Sequence, residues 1–306
     1  MNERKPILVT GAHRSGTSWV GRMLAANSNT AYISEPLNVL HRPGVFRAPV
    51  KHWYVYINSE NESEYLPAFR ELLDLKYHAW REIFSIRSAK DFLRMGRDFH
   101  TFFIGSMQGR RLLLKDPFAV FSSRWFAKAL NCEVVITVRH PAAFASSLKR
   151  LNWPFNFHDL LDQSALMHDH LERDRAEMES IQVDDVIGQS ALLWRMIYRF
   201  VHSTRDLNPD FKIVRHEDIS IDPVAEYKRL YDSLGLSFDD KVRGTILNSS
   251  NSENPAELSR KKTYSVKLDS RANLDNWKKR LNAEEIGRIR KMTESISHLF
   301  YSDDEW

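Results

Sequence analysis

The 306 residues predict an α/β protein: a parallel β-sheet flanked by helices on both faces, forming one domain over residues 1–306 with helical insertions. Three observations lead there. Short apolar runs rich in branched residues recur along the chain, and most are followed by helical periodicity. The first run enters a glycine-containing loop at once, the pattern of a buried strand turning into a helix. With 42% hydrophobic and 27% charged residues, the composition is that of an ordinary globular chain, which excludes disordered, collagenous and coiled-coil classes.

Taken in order, Pro6–Thr10 is the first strand, and a helix is expected from Thr17 to Asn27. Ala31–Ser34, Arg111–Lys115, Glu133–Val138 and Phe211–Arg215 read as the other strands. From Leu40 to Gly109 the chain is helix-like and aromatic-rich, with Trp53, Tyr54, Tyr56, Tyr65, Tyr77 and Trp80, and reads as an insertion over the sheet. The stretch from Phe157 to Ile181 reads as a polar helical cover whose charges form a solvated face. Asp222 is placed to cap a helix with Pro223 in its first position, an apolar face at Val224, Tyr227, Leu230, Tyr231 and Leu234, and Gly235 at its end. Ser59–Glu64 and Ser249–Pro255 are expected to be loops.

Charge and cysteine content narrow the functional classes. Against 40 acidic side chains stand 44 Lys and Arg, a net +4 that suits an anionic ligand and falls short of a polybasic nucleic-acid binder. The single cysteine, Cys132, forms no intramolecular disulfide. No apolar run approaches the roughly 18 residues of a membrane span, and Ile7–Thr10 is too short for a signal peptide, so the expectation is a soluble, cytoplasmic protein.

Two segments carry chemistry. Gly11-Ala-His-Arg-Ser-Gly-Thr-Ser18 is P-loop-like: it lies between the first strand and the first helix, where backbone N–H groups and the helix dipole hold an anion. A nucleoside-triphosphate loop would carry lysine after its last glycine, yet Thr17 stands there and the cation is Arg14. Arg14, Thr17 and Ser18 therefore suit a compact phosphate-like group without bound metal; the alternative is a structural glycine turn with a surface arginine. Downstream, Arg139 follows the fourth strand, Pro141 opens the next helix, and Ser147 lies about 9 Å further along its axis. A nucleotide with phosphates at two ends needs two such anion sites.

Together these segments resemble the sulfotransferases that use 3′-phosphoadenosine-5′-phosphosulfate (PAPS). Arg14-Ser-Gly-Thr-Ser-Trp19 is similar to their 5′-phosphosulfate loop, and Arg139 with Ser147 has their arginine-to-serine spacing for the 3′-phosphate. Lys115-Asp-Pro117, Arg215-His-Glu-Asp218 and Trp277-Lys278 extend the likeness thinly along the chain. The resemblance implies that Arg14, Ser15, Gly16, Thr17 and Ser18 hold the 5′-phosphosulfate, that Trp19 stacks on adenine, and that Arg139 and Ser147 hold the 3′-phosphate. Arg271 falls in a segment resembling the family's C-terminal nucleotide loop but without its glycines, and His216 stands where many members have an adenine-contacting tyrosine.

Sulfuryl transfer to an alcohol needs a base for the hydroxyl proton. The histidine that phenol and steroid sulfotransferases carry after the third strand's lysine is missing from Lys115-Asp116-Pro117. Tyr32-Ile-Ser-Glu-Pro-Leu37 instead resembles the Tyr-Glu-Pro segment of the carbohydrate sulfotransferases, which implies Glu35 as base; His13 is the rival, and a structural ion pair is the alternative role for Glu35. Lys115 would stabilise charge on the transferred group, with Asp116 orienting it. The expected acceptor is a small molecule or glycan with a free hydroxyl, bound against the aromatic insertion, and neither nucleic acid nor metal is expected. A P-loop kinase and a non-catalytic nucleotide-binding protein are the competing readings.

Overall fold

The computed structural model describes residues 5–205, 207–257 and 265–306. Five parallel strands form one sheet: β1 (Ile7–Gly11), β2 (Thr30–Ser34), β3 (Arg111–Lys115), β4 (Glu133–Val138) and β5 (Lys212–Arg215), in the order β2-β3-β1-β4-β5. All five predicted runs are strands. The chain fills one side of β1 with β2 and β3, then crosses to the other side for β4 and β5. The carboxyl end of β1 is therefore a topological switch point, the place where open α/β sheets form a crevice. In register, Gly11 lies beside Thr137, and Val9 beside Lys115, so the ends of β1, β3 and β4 open toward one edge.

Successive strand residues alternate between two apolar layers, as a sheet covered on both faces requires. Leu8, Leu114, Val134 and Ile136 face a large core that includes Leu192, Ile197 and Tyr198, while Ile7, Val9, Leu113 and Val135 face the other. Seven helices matter below: α1 (Thr17–Leu24), α2 (Ala89–Met107), α3 (Pro141–Leu151), α4 (Val186–Arg205), α5 (Pro223–Ser233), α6 (Asp240–Ser250) and α7 (Ala283–Ser297). Helices α1, α5 and α6 cover the second face through Val20, Met23, Tyr227, Leu230, Val242 and Ile246. Among the described residues, no helix is long and apolar enough to cross a membrane.

Local signals placed α5 well: the Asp222 side chain accepts from Ala225 N–H, Pro223 opens the helix, and Gly235 takes a positive φ of 61° beyond its end. Tertiary contacts moved other boundaries. Helix α1 stops at Leu24 rather than Asn27, because the Asn27 side chain is drawn to Ser237 and to the Asn29 amide. Part of Ser59–Glu64 is helical, since Glu62 and Glu64 sit favourably in the first turn of Glu62–Leu73. Ser249 and Ser250 close α6 instead of opening a loop. The stretch 157–181 is helical as expected but broken into short segments, and Asp174 within it is buried against Arg195 and Arg199 rather than solvated. Cys132 is buried, with its thiol pushed up to about 12.

Candidate active site

The loop after β1 owes its shape to close backbone packing. Gly11 has φ 138°, and a Cβ there would stand 2.4 Å from the Thr137 carbonyl oxygen. Gly16 has φ 100°, and its Cβ would meet His216 Nδ1 at 2.7 Å. Between them the loop is braced from inside: the Ser15 amide and hydroxyl both donate to Ala12 O, and Ser15 Oγ pairs with Thr137 Oγ1 at 2.6 Å. Ser15 was expected to touch the nucleotide, but these bonds turn its side chain into the sheet. Gly16 begins α1 without a side-chain cap, and no acidic residue occupies the first turn. The first amides of a helix lack intrahelical acceptors, so this end keeps donors and positive potential for an anion.

On one side of the loop lies a cavity lined by cations. Arg14, Arg139, Arg150 and Arg280 all reach it, along with Thr17, Ser18, Trp19, Ser147 and His216, and no carboxylate lies among its described lining residues. Arg14 Nε donates to Ser147 Oγ at 3.0 Å, and Arg139 Nη1 donates to the Arg14 carbonyl at 3.0 Å. Arg139 Nε, Arg150 Nη2 and His216 Nδ1 are enclosed without a hydrogen-bond partner among the described residues. Burial, reinforced by Arg139 and Arg150, lowers Arg14 to about 10, the behaviour of a buried cation beside others of its sign, while Arg280 of the same cavity is ion-paired with Glu257. Buried polar groups left unpaired are costly, and an anionic guest would satisfy them.

Trp19 lines this cavity, but its ring meets His216 and Tyr227 edge-on and its indole N–H donates to Ser249 Oγ at 3.0 Å. Arg271 is not brought to the cavity. Its guanidinium is spent on the Ile221 carbonyl, at 2.9 Å from Nε, while its neighbours Ser270 and Asn273 line the wall.

A second cavity, of about 640 Å³, opens on the opposite side and shares Arg14, Thr17 and Ser18 as wall. Glu35 enters it from the end of β2, in a left-handed conformation with φ 56°. Its amide donates to the Lys115 carbonyl at 2.7 Å, its Oε1 pairs with Lys115 Nζ, and its Oε2 accepts from Asn38 Nδ2 at 2.9 Å. Asp116, expected to orient Lys115, makes no hydrogen bond or ion pair with it. Its carboxylate instead accepts from Leu37 N–H at 2.6 Å and Phe118 N–H at 3.0 Å, pinning the turn that follows Glu35 to the turn that follows β3. Burial pushes Asp116 up to about 7.

His13 also borders this cavity, and Tyr54 decides which of its ring nitrogens carries the hydrogen. The His13 amide donates to Tyr54 Oη at 3.0 Å, and the same oxygen contacts His13 Nδ1. Tyr54 is fully buried and has no other acceptor among the described residues, so its proton goes to Nδ1 and the ring hydrogen sits on Nε2. Burial and the neighbouring Arg14 lower His13 to about 3, which keeps the ring neutral. Trp53, Phe118, Trp153 and Phe155 supply the apolar wall. Of the aromatics singled out in the insertion, Trp53 alone lines this cavity: Tyr54 and Tyr65 are core, and Trp80 faces solvent at 78% exposure.

A sulfotransferase family model matches residues 6–240. The chain belongs to the sulfotransferase family. An 86-residue segment is 29% identical to carbohydrate sulfotransferase 1 of Danio rerio, a match that takes in 28% of this chain and 20% of that protein. Similar solved structures include the sulfotransferase domain from the curacin biosynthetic pathway, at 16% identity and a TM-score of 0.47, covering 99% of both chains. Mouse sulfotransferase SULT7A1 complexed with PAP is another, at 12% identity and a TM-score of 0.46, over 99% of this chain and 87% of that one. What motif reading missed in this sulfotransferase is long-range. Tyr54 reaches His13 across 41 positions and Arg280 comes from beyond α6, and neither has a spacing signal; Arg150, three residues after Ser147 on α3, was within reach of a helical-face argument.

Proposed function

We propose that this sulfotransferase moves a sulfuryl group from PAPS to a hydroxyl of a carbohydrate or glycosylated metabolite, with Glu35 as the general base. The reading is carried by one observation: a cavity lined by four arginines and, among its described lining residues, by no carboxylate shares the wall formed by Arg14, Thr17 and Ser18 with a cavity holding the Glu35–Lys115 pair. The first suits a nucleotide with phosphates at both ends, and the unpaired Arg139 Nε and Arg150 Nη2 fit such a polyanion. In this reading Arg139 and Ser147 take the 3′-phosphate, and Arg14, the α1 amides, Thr17 and Ser18 take the 5′ end. Trp19 and His216 flank the base, and Arg150 and Arg280 stand in for the displaced Arg271.

PAPS supplies a sulfuryl group whose bond to the 5′-phosphate oxygen breaks as the acceptor oxygen attacks sulfur. The acceptor proton passes to Glu35. Once Glu35 is neutral its hold on Lys115 weakens, and the ammonium is free to balance charge on the departing oxygen. His13 is unsuited as base, because the nitrogen left for the cavity carries the hydrogen; it can donate to an oxygen instead. The carbohydrate acceptor rests on the Glu-Pro segment, on the local likeness to a carbohydrate sulfotransferase, and on ring faces of Trp53 and Trp153 for sugar stacking.

Calorimetric titration tests the donor assignment. Adenosine 3′,5′-bisphosphate is expected to bind without metal and in preference to magnesium ATP; the reverse preference would overturn the PAPS reading in favour of phosphoryl chemistry.

A further inference from the structure

The end of the insertion and the residue that follows it carry an excess of cations. Residues 79–110 hold six Arg and Lys and three Asp and Glu, a net +3 of the whole chain's +4. Of the acids, Glu82 and Asp98 are buried and Asp91 is half-buried, whereas Arg81, Arg87, Lys90, Arg94 and Arg97 are exposed. The same segment carries eight of the fifteen large apolar side chains that stand exposed among the described residues, with Trp80 at 78%, Phe84 at 76% and Leu93 at 72%.

On α2 these features are sorted by face. At the helical repeat, Phe92, Phe99, Phe103 and Met107 fall within an arc of about 80°, and all four are exposed. The rings of Phe99 and Phe103 stack at 5.8 Å with 9° between their planes. Asp98, Phe102 and Gly105 lie on the buried face, and beside them Lys90, Arg94 and Arg97 form a row about 145° from the apolar stripe, with Arg94 paired to Asp91 and Arg97 to Asp98. An apolar stripe with cations on the other flank, and Trp and Phe at its end, is the make-up of a helix lying in a lipid interface.

We infer that the exposed face of α2, continued by Trp80 and Phe84, docks this protein on an anionic lipid bilayer as a peripheral membrane protein. Charge selects this occupant. A symmetric contact with a second copy would set the exposed cations of one chain against those of the other, a repulsive pairing, while anionic headgroups attract them at the depth where the rings enter. Arg94 and Arg97 also line a cavity of about 690 Å³ that reaches Glu35, so docking would bring that mouth to the lipid surface. That last consequence, access for a membrane-borne acceptor, rests on the proposed function; the docking does not.

Sedimentation of the intact chain with vesicles provides the test. Binding is expected to vesicles of phosphatidylglycerol mixed with phosphatidylcholine and not to phosphatidylcholine alone. Phe99→Glu with Phe103→Glu is expected to abolish it, and Arg87→Glu with Lys90→Glu to weaken it by roughly fivefold or more per cation, while both pairs keep the circular dichroism spectrum and thermal unfolding of the unaltered chain as a sign of folding. Equal binding to both vesicle types, no binding to either, or a dimer in sedimentation velocity that the phenylalanine variant splits would each overturn the proposal.

Discussion

The two cavities that meet at Arg14 are made of different material. The cationic one is built around strand ends and helix starts that are contiguous in sequence: Gly11 to Trp19 after β1, and Arg139 to Arg150 after β4. The other is assembled from separated pieces, with Glu35 from β2, Lys115 from β3, Trp53 from the insertion and Trp153 from beyond α3. Among the described residues, the first holds four arginines of which only Arg280 forms an ion pair, with Glu257, and the second holds a carboxylate already paired with an ammonium. An anion-binding site is thus a local device of backbone and helix end, whereas a proton-accepting site depends on what tertiary structure lays beside it.

The division makes testable demands on each side. The largest effect belongs to the Glu35 side: Glu35→Gln is expected to lower kcat by about 10² to 10⁴ while calorimetry finds bisphosphate affinity nearly unchanged. Full turnover in that variant would remove Glu35 from the mechanism, and lost nucleotide binding would merge the two cavities into one functional unit. Arg139→Ala is the converse. Losing a charge-assisted contact worth roughly 1.5–3 kcal/mol should weaken bisphosphate binding about 10- to 150-fold, with the acceptor KM little changed; normal binding would place the second phosphate elsewhere.

A smaller effect is expected at the brace between the cavities. Tyr54→Phe leaves the His13 amide without its acceptor, a loss of about 1–3 kcal/mol in chemical denaturation. Burial and the neighbouring Arg14, rather than the tyrosine, hold the His13 ring low, so its titration followed by NMR should stay near about 3 in this variant. In the native protein that depressed value has a definite sign. Between about 3 and 6.5 the unfolded chain binds a proton that the folded ring refuses, so His13 contributes stability above 6.5 that is lost as pH falls. His140, also lowered to about 3 by burial and nearby cations, acts in the same direction, and Asp116, raised to about 7, acts in the opposite one. A His13 ring that titrates near 6.5 in the unaltered protein would show that burial and Arg14 do not govern it.

How much could be read from sequence follows the same line. The five strands were legible because buried parallel strands are short apolar runs, and α5 was legible because Asp222, Pro223 and Gly235 mark its ends with local chemistry. The insertion and the 157–181 stretch were less so, since their periodicity says that apolar side chains are wanted on one face and not which surface receives them. Trp53 reached a cavity, Tyr54 a histidine, and Trp80 solvent, though all three stand in one aromatic segment.

By itself, then, the sequence determined the α/β alternation, the glycine loop with its single-arginine variation, and the second arginine–serine pair, because each rests on contacts within one strand–turn–helix unit. The tertiary structure decided that Ser15 turns inward, that Arg271 is displaced while Arg150 and Arg280 arrive, that Asp116 holds the Glu35 turn rather than Lys115, and which nitrogen of His13 carries its hydrogen. Each of those outcomes depends on hydrogen bonds and burial between residues far apart in the chain, and no spacing encodes which donor will meet which acceptor once the sheet brings its strand ends together.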